Sequence, residues 1–175
     1  FQQDILSGDA SEPYKYRVLV PLVGRALEIV VSPFFDSSLI RHNVAYATMG
    51  FATFLGIYLL LYLFLRALFV ARTAVIGLMF FQLAVPLSVT GVFMVGDYVT
   101  VLFYLIGLNL MLSGRHAYLP VVVGLGTLNR QQMIFLVVFY AIYLYSQNLT
   151  RQRAKLLVLV SCIASFMLVF VGLRT

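Results

Sequence analysis

Among residues able to do chemistry, Arg130 has the most telling neighbours. Asn129, Gln131 and Gln132 flank it, and apolar runs cover residues 117–128 and 133–145 on either side. An arginine at membrane depth costs about 2.5–3.5 kcal/mol on insertion scales, so it normally faces a cavity or a partner. Its neighbours form hydrogen bonds but carry no negative charge. Donors around one fixed positive charge suit an anion, most simply a phosphate or pyrophosphate. The competing reading is an arginine that snorkels to lipid headgroups from a short turn. Asp4 and Asp9 are the other candidates, since an aspartate near a membrane face can act as a base or bind a divalent cation. Standing alone, such a carboxylate is ordinarily just solvated. Asp97, between two apolar runs, reads as a boundary residue.

Other chemistries find no support. There is no Gly-rich phosphate loop and no Ser-His-Asp set. His42 and His116 are far apart and lack metal-ligand spacing. Cys162 is the single cysteine, which allows neither an internal disulfide nor a metal cluster. No resident cofactor is implied; a divalent cation at the aspartates is the one candidate.

The elements that must position these residues follow from composition. The chain is 62% hydrophobic and 10% charged, where soluble domains carry about 25% charged residues to keep a wetted surface. A chain of 175 residues cannot hide that much apolar surface from water, so lipid is its solvent for most of its length. The net charge of +6 comes from short basic clusters between apolar runs. That is how topology is written in membrane proteins, and without a basic stripe interleaved with aromatics it excludes nucleic acid as a partner. The expected partners are the lipid bilayer and other membrane proteins.

Residues 1–43 form the polar region, holding five of the six acids. Within it, Arg17, Pro21, Arg25, Glu28 and Ser32 fall in one sector about 80° wide on a helical wheel. That narrow stripe predicts an amphipathic helix over 17–32, lying along the membrane interface and kinked at Pro21. Residues 44–175 form the membrane region. Val44–Leu65 is 22 residues without a charge, enough for a hydrocarbon core of about 30 Å. Thr73–Val95 reads as a second span, closed by Asp97, followed by a short apolar run over Tyr98–Leu112. Residues 117–128 and 133–145 read as two short segments meeting at the polar turn 129–132, and Leu156–Leu173 as the last span. The expected fold is thus all-α and polytopic, about four full spans plus two short segments, with an outer juxtamembrane helix.

Alternation places the loops at 66–72, 113–116 and 146–155 on one side, with six bases and no acids. This is the positive-inside pattern, and it makes that side cytoplasmic. Residues 1–43 and the Asn129–Gln132 turn then share the outer face. The sequon Asn148-Leu149-Thr150 falls on the cytoplasmic side and is expected to stay unmodified. Phe1 in place of Met and the close on Val-Gly-Leu-Arg-Thr suggest a segment of a longer polytopic protein.

Gly8-Asp9 followed by Pro13-Tyr14-Lys15-Tyr16-Arg17-Val18-Leu19-Val20-Pro21 resembles the first outer loop of bacterial membrane proteins of the C-type glycosyltransferase superfamily. In those proteins an acidic residue precedes a Pro-Tyr-x-Tyr-Arg-x-Leu-x-Pro stretch. Gly126-Thr127-Leu128-Asn129-Arg130 resembles their later Leu-Asn-Arg-Glu turn, and the fragments occur in the family's order. Together they cover about twenty residues. The resemblance implies transfer of a sugar from a polyprenyl-phosphate donor on the outer face. It makes Asp9, with Asp4 nearby, the candidate base, and Arg130, Asn129, Gln131, Tyr16 and Arg17 the candidate donor contacts. One position departs from the pattern. The family's Glu after Arg is Gln131 here, which removes an ion-pair partner for Arg130. The rival expectation is a non-catalytic subunit packed into a larger membrane complex.

Overall fold

The structure, a computed structural model, describes residues 17–88, 95–147 and 153–174. The described residues form helices joined by short turns, with no strand. Seven α-helices follow in order: α1 (Leu19–Val31), α2 (Ser38–Leu68), α3 (Ala71–Ser88), α4 (Val95–Leu112), α5 (Leu119–Thr127), α6 (Ile134–Ser146) and α7 (Arg153–Gly172). By length and composition α2, α4 and α7 can cross a membrane.

The surface shows why lipid must be the solvent. Phe51, Leu55, Met79, Phe80, Leu83, Leu157 and Leu168 are all exposed on α2, α3 and α7. Apolar patches of that extent do not persist against water. On the inner sides α2 and α3 bury Ala45, Ile57 and Ala74, and the later helices close a cluster of their own. Met111 of α4, Leu119 and Val123 of α5, Leu136 and Tyr140 of α6, and Cys162 and Phe166 of α7 close on one another.

Two element boundaries differ from expectation. Among the described residues one helix covers Ala71–Ser88, and Val95 belongs to the next helix, Val95–Leu112, rather than closing this one. Asp97 lies in the first turn of α4, where a carboxylate complements the positive end of the helix dipole and favours starting a helix. The run after it therefore gains a turn and becomes an 18-residue, span-length helix. Its other end closes on Gly114, whose φ of 73° is a left-handed conformation that glycine adopts without strain. The Gly114 and Arg115 N–H groups donate back to Met111 and Leu110, capping the helix in a Schellman arrangement.

α1 runs without interruption through Pro21. Pro21 is the third residue of the helix, among the first four positions that have no intrahelical acceptor for an N–H, so the missing donor costs nothing. The helix also packs along α2. Gly24 faces the Tyr46 ring so closely that a Cβ there would lie 2.9 Å from it. One turn on, Glu28 meets His42 at 2.6 Å. These two contacts advance along α1 as they retreat along α2, so the helices are antiparallel and α2 sets the direction of α1.

Candidate anion site at the Asn129–Arg130 turn

α5 and α6 separate where the polar turn was expected. α5 starts with Pro120 in its first turn, a position that suits a residue without an N–H, and ends at Thr127. Arg130 is fully extended, with φ −153° and ψ 136°, and Gln131–Met133 forms a 3-10 turn into α6. Breaking the helix here frees carbonyls at its C-terminal end, which need donors. The Leu128 carbonyl receives two, from the Val18 N–H at 3.0 Å and the Leu19 N–H at 3.2 Å. Those groups are orphan donors at the start of α1, so two helix ends satisfy each other. The contact joins the N-terminal segment to the arginine turn.

Asn129 fixes the turn from the other side. It is buried, 1% exposed, and its Nδ2 donates to the Gly96 carbonyl at 2.6 Å and to Thr100 Oγ1 at 2.7 Å. Thr100 Oγ1 in turn donates to the Gly96 carbonyl at 3.0 Å. Turning the amide over would set Oδ1 against that carbonyl oxygen, so the orientation is determined. Asn129, expected to touch a ligand, instead clamps the turn to α4.

The clamp brings Arg130 onto Asp97. Arg130 Nη2 donates to Asp97 Oδ1, and Nη1 lies 3.4 Å from Gln132 Oε1. Arg17 Nη1 lies 4.0 Å from the same Asp97 oxygen. Gln131 is half-buried at the start of the turn, while Tyr104 of α4 donates its hydroxyl to the Gln132 carbonyl. Three segments distant in sequence thus place two guanidiniums and one carboxylate together, with a net charge of +1. The trio is only partly covered: Arg17, Arg130 and Asp97 side chains are 29%, 20% and 41% exposed.

The position of the site along the bundle matters. The Tyr98 ring, next to Asp97, packs against Phe54 with centroids 4.5 Å apart and the ring planes tilted by 47°. Phe54 is the middle of the uncharged Val44–Leu65 stretch, so the ion pair is level with the centre of α2's apolar run and not with its end. An arginine there needs a counter-charge, and Asp97 supplies it. Asp97 was read as a boundary residue, yet the sequence held a signal for it: it is the sole acid after Asp36.

Arg130 and Arg17 are therefore brought together, with Gln132, Asp97 and Tyr104 joining them. Asp4, Asp9 and Tyr16 lie outside the described residues. Among the described residues no cluster of three or more His, Cys, Asp or Glu side chains has metal-binding geometry. Comparison of the chain with protein-family models, curated proteins and solved structures gave no match.

Proposed function

We propose that this chain is a membrane glycosyltransferase, or the N-terminal half of one, that uses a polyprenyl-phosphate-linked sugar on the outer face of the membrane. The observation that supports it is the convergence of Arg17 and Arg130 on Asp97. The donor's phosphate needs cations that reach it from the side of the bilayer, and guanidiniums suit it by planar paired hydrogen bonds. Asp97 acts as a positioning residue, orienting the Arg130 fork. In the transfer, an acceptor hydroxyl attacks the anomeric carbon and the bond from that carbon to the phosphate oxygen breaks. Polyprenyl phosphate leaves, its charge held by the arginines, and a carboxylate base takes the hydroxyl proton. Asp9 is that base in this reading, with Asp4 beside it in sequence. Residues 1–43 are extracytoplasmic, on the side opposite the six-base loops.

Donor turnover tests this. With a polyprenyl-phosphate sugar in proteoliposomes, Asp9→Asn should cut turnover by about 10²-fold or more, the scale of a general base, and leave donor binding largely intact. Equal turnover in variant and wild type overturns the assignment.

A second reading, a non-catalytic subunit of a larger complex, draws on a different observation. Asp97 already neutralises Arg130 within the chain, and α2, α3 and α7 present broad apolar faces that neighbouring helices can cover. It requires no donor binding at all.

A further inference from the structure

The α1–α2 pair carries a second basic site, at the far end from Asp97. Between the two helices is an open polar groove of about 360 Å³ lined by Arg25, Glu28, Ile29, Ser32, Ser38 and Arg41. Two guanidiniums enter it from different helices. The carboxylate that should neutralise them is Glu28, one turn from Arg25 on the same helical face. Glu28 lines the groove with them but turns its Oε1 to His42 Nδ1, 2.6 Å away, rather than to either arginine. Among the described residues neither Arg25 nor Arg41 has an ion-pair partner. Arg41 is half-buried, on the turn of α2 just before its apolar run. Phe34, Leu39 and Ile40 beside the groove are exposed apolar side chains. The groove thus combines two arginine forks, in excess over the one carboxylate, and two serine positions with an apolar rim that suits acyl chains.

We propose that this groove binds a phosphate ester, with Arg25 and Arg41 holding its oxygens, and that in the membrane the ester is an anionic phospholipid headgroup. Arginine pairs bind phosphate by charge-assisted hydrogen bonds, and the rim places such a headgroup where its tails stay in lipid. The site is separate from the Arg17–Asp97–Arg130 trio and stands whether or not the chain transfers sugars.

The test uses the full chain in nanodiscs of phosphatidylcholine doped with phosphatidylglycerol, and in parallel in pure phosphatidylcholine with added pyrophosphate. Native mass spectrometry reads how much of each stays bound. Arg25→Gln/Arg41→Gln should weaken phosphatidylglycerol retention about tenfold or more, the cost of losing charge-assisted contacts, while Arg66→Gln leaves it unchanged. Loss of phosphatidylglycerol alone identifies the headgroup as the source. Loss of pyrophosphate retention, with no change in phosphatidylglycerol, supports the site with free phosphate as its ligand. If the double variant does not fold, Ser38→Asp decides: Ser38 is exposed at the start of α2, where a carboxylate is tolerated and would compete for the arginines. Retention of both ligands at wild-type levels in the folded variant overturns the proposal.

Discussion

Arg130 donates to Asp97 across 33 residues of sequence, from the turn between α5 and α6 to the first turn of α4. The pair sits level with the middle of α2, where an unpaired charge of either sign is costly. Each partner therefore accounts for the other's position. Because Asp97 is partly exposed, the coupling is smaller than for a sealed ion pair. A double-mutant cycle with Asp97→Asn and Arg130→Gln, read by unfolding in mixed micelles, should give a coupling of about 1–2 kcal/mol. A coupling near zero would mean that the two side chains stabilise the fold independently.

Asn129→Ala should destabilise the fold by about 1–3 kcal/mol, because it removes two buried hydrogen bonds. Asn129→Asp should cost at least as much, since it sets a carboxylate oxygen against the Gly96 carbonyl. The same unfolding measurement checks both, and near-neutral values would show that the turn holds without its clamp to α4.

Much of this fold follows from elementary pattern. The uncharged length of Val44–Leu65, the polar break at residues 129–132 and the basic loops all stand out from residue type and spacing alone. The helix boundaries near Asp97 do not. A lone aspartate between apolar runs is consistent with closing one helix or opening the next, and only the dipole of the helix that forms separates the two. The Arg130–Asp97 pairing is only half legible: Asp97 is the sole acid after Asp36, but the five acids of residues 1–43 are expected on the same face as Arg130. The reciprocal capping of Leu128 by Val18 and Leu19 is not, because it uses backbone groups that every residue carries. Nor is the role of Asn129, whose side-chain type suits a ligand contact and a buried clamp equally well.

The turn between α4 and α5 carries a pH response. His116, in the loop between α4 and α5, is buried, and burial, followed by the charge of Lys155, lowers its pKa from the usual 6.5. Above that value both folded and unfolded states hold a neutral imidazole. As pH falls below about 6.5 the unfolded state takes up the proton first, so stability declines, levelling off below the folded-state pKa. His116→Asn should remove this component. Identical pH dependence of the unfolding midpoint in wild type and variant would contradict it.

The sidedness drawn from the basic loops is tested by cysteine labelling in a Cys162→Ser background. Positions 9 and 131 should react with a membrane-impermeant thiol reagent in intact cells, and position 152 should not. Labelling of 152 but not 9 would reverse the topology. Labelling of 9 without 131 would separate the N-terminal segment from the arginine turn, despite the Leu128 contacts that join them.

The most direct measurement is the affinity of the full chain in nanodiscs for polyprenyl phosphate. Wild type should bind it, Arg130→Lys should weaken binding about tenfold or more because a point charge replaces a planar fork, and Arg66→Lys should leave binding unchanged. Absence of binding by wild type, or equal affinity in wild type and Arg130→Lys, would contradict a lipid-phosphate site at this turn.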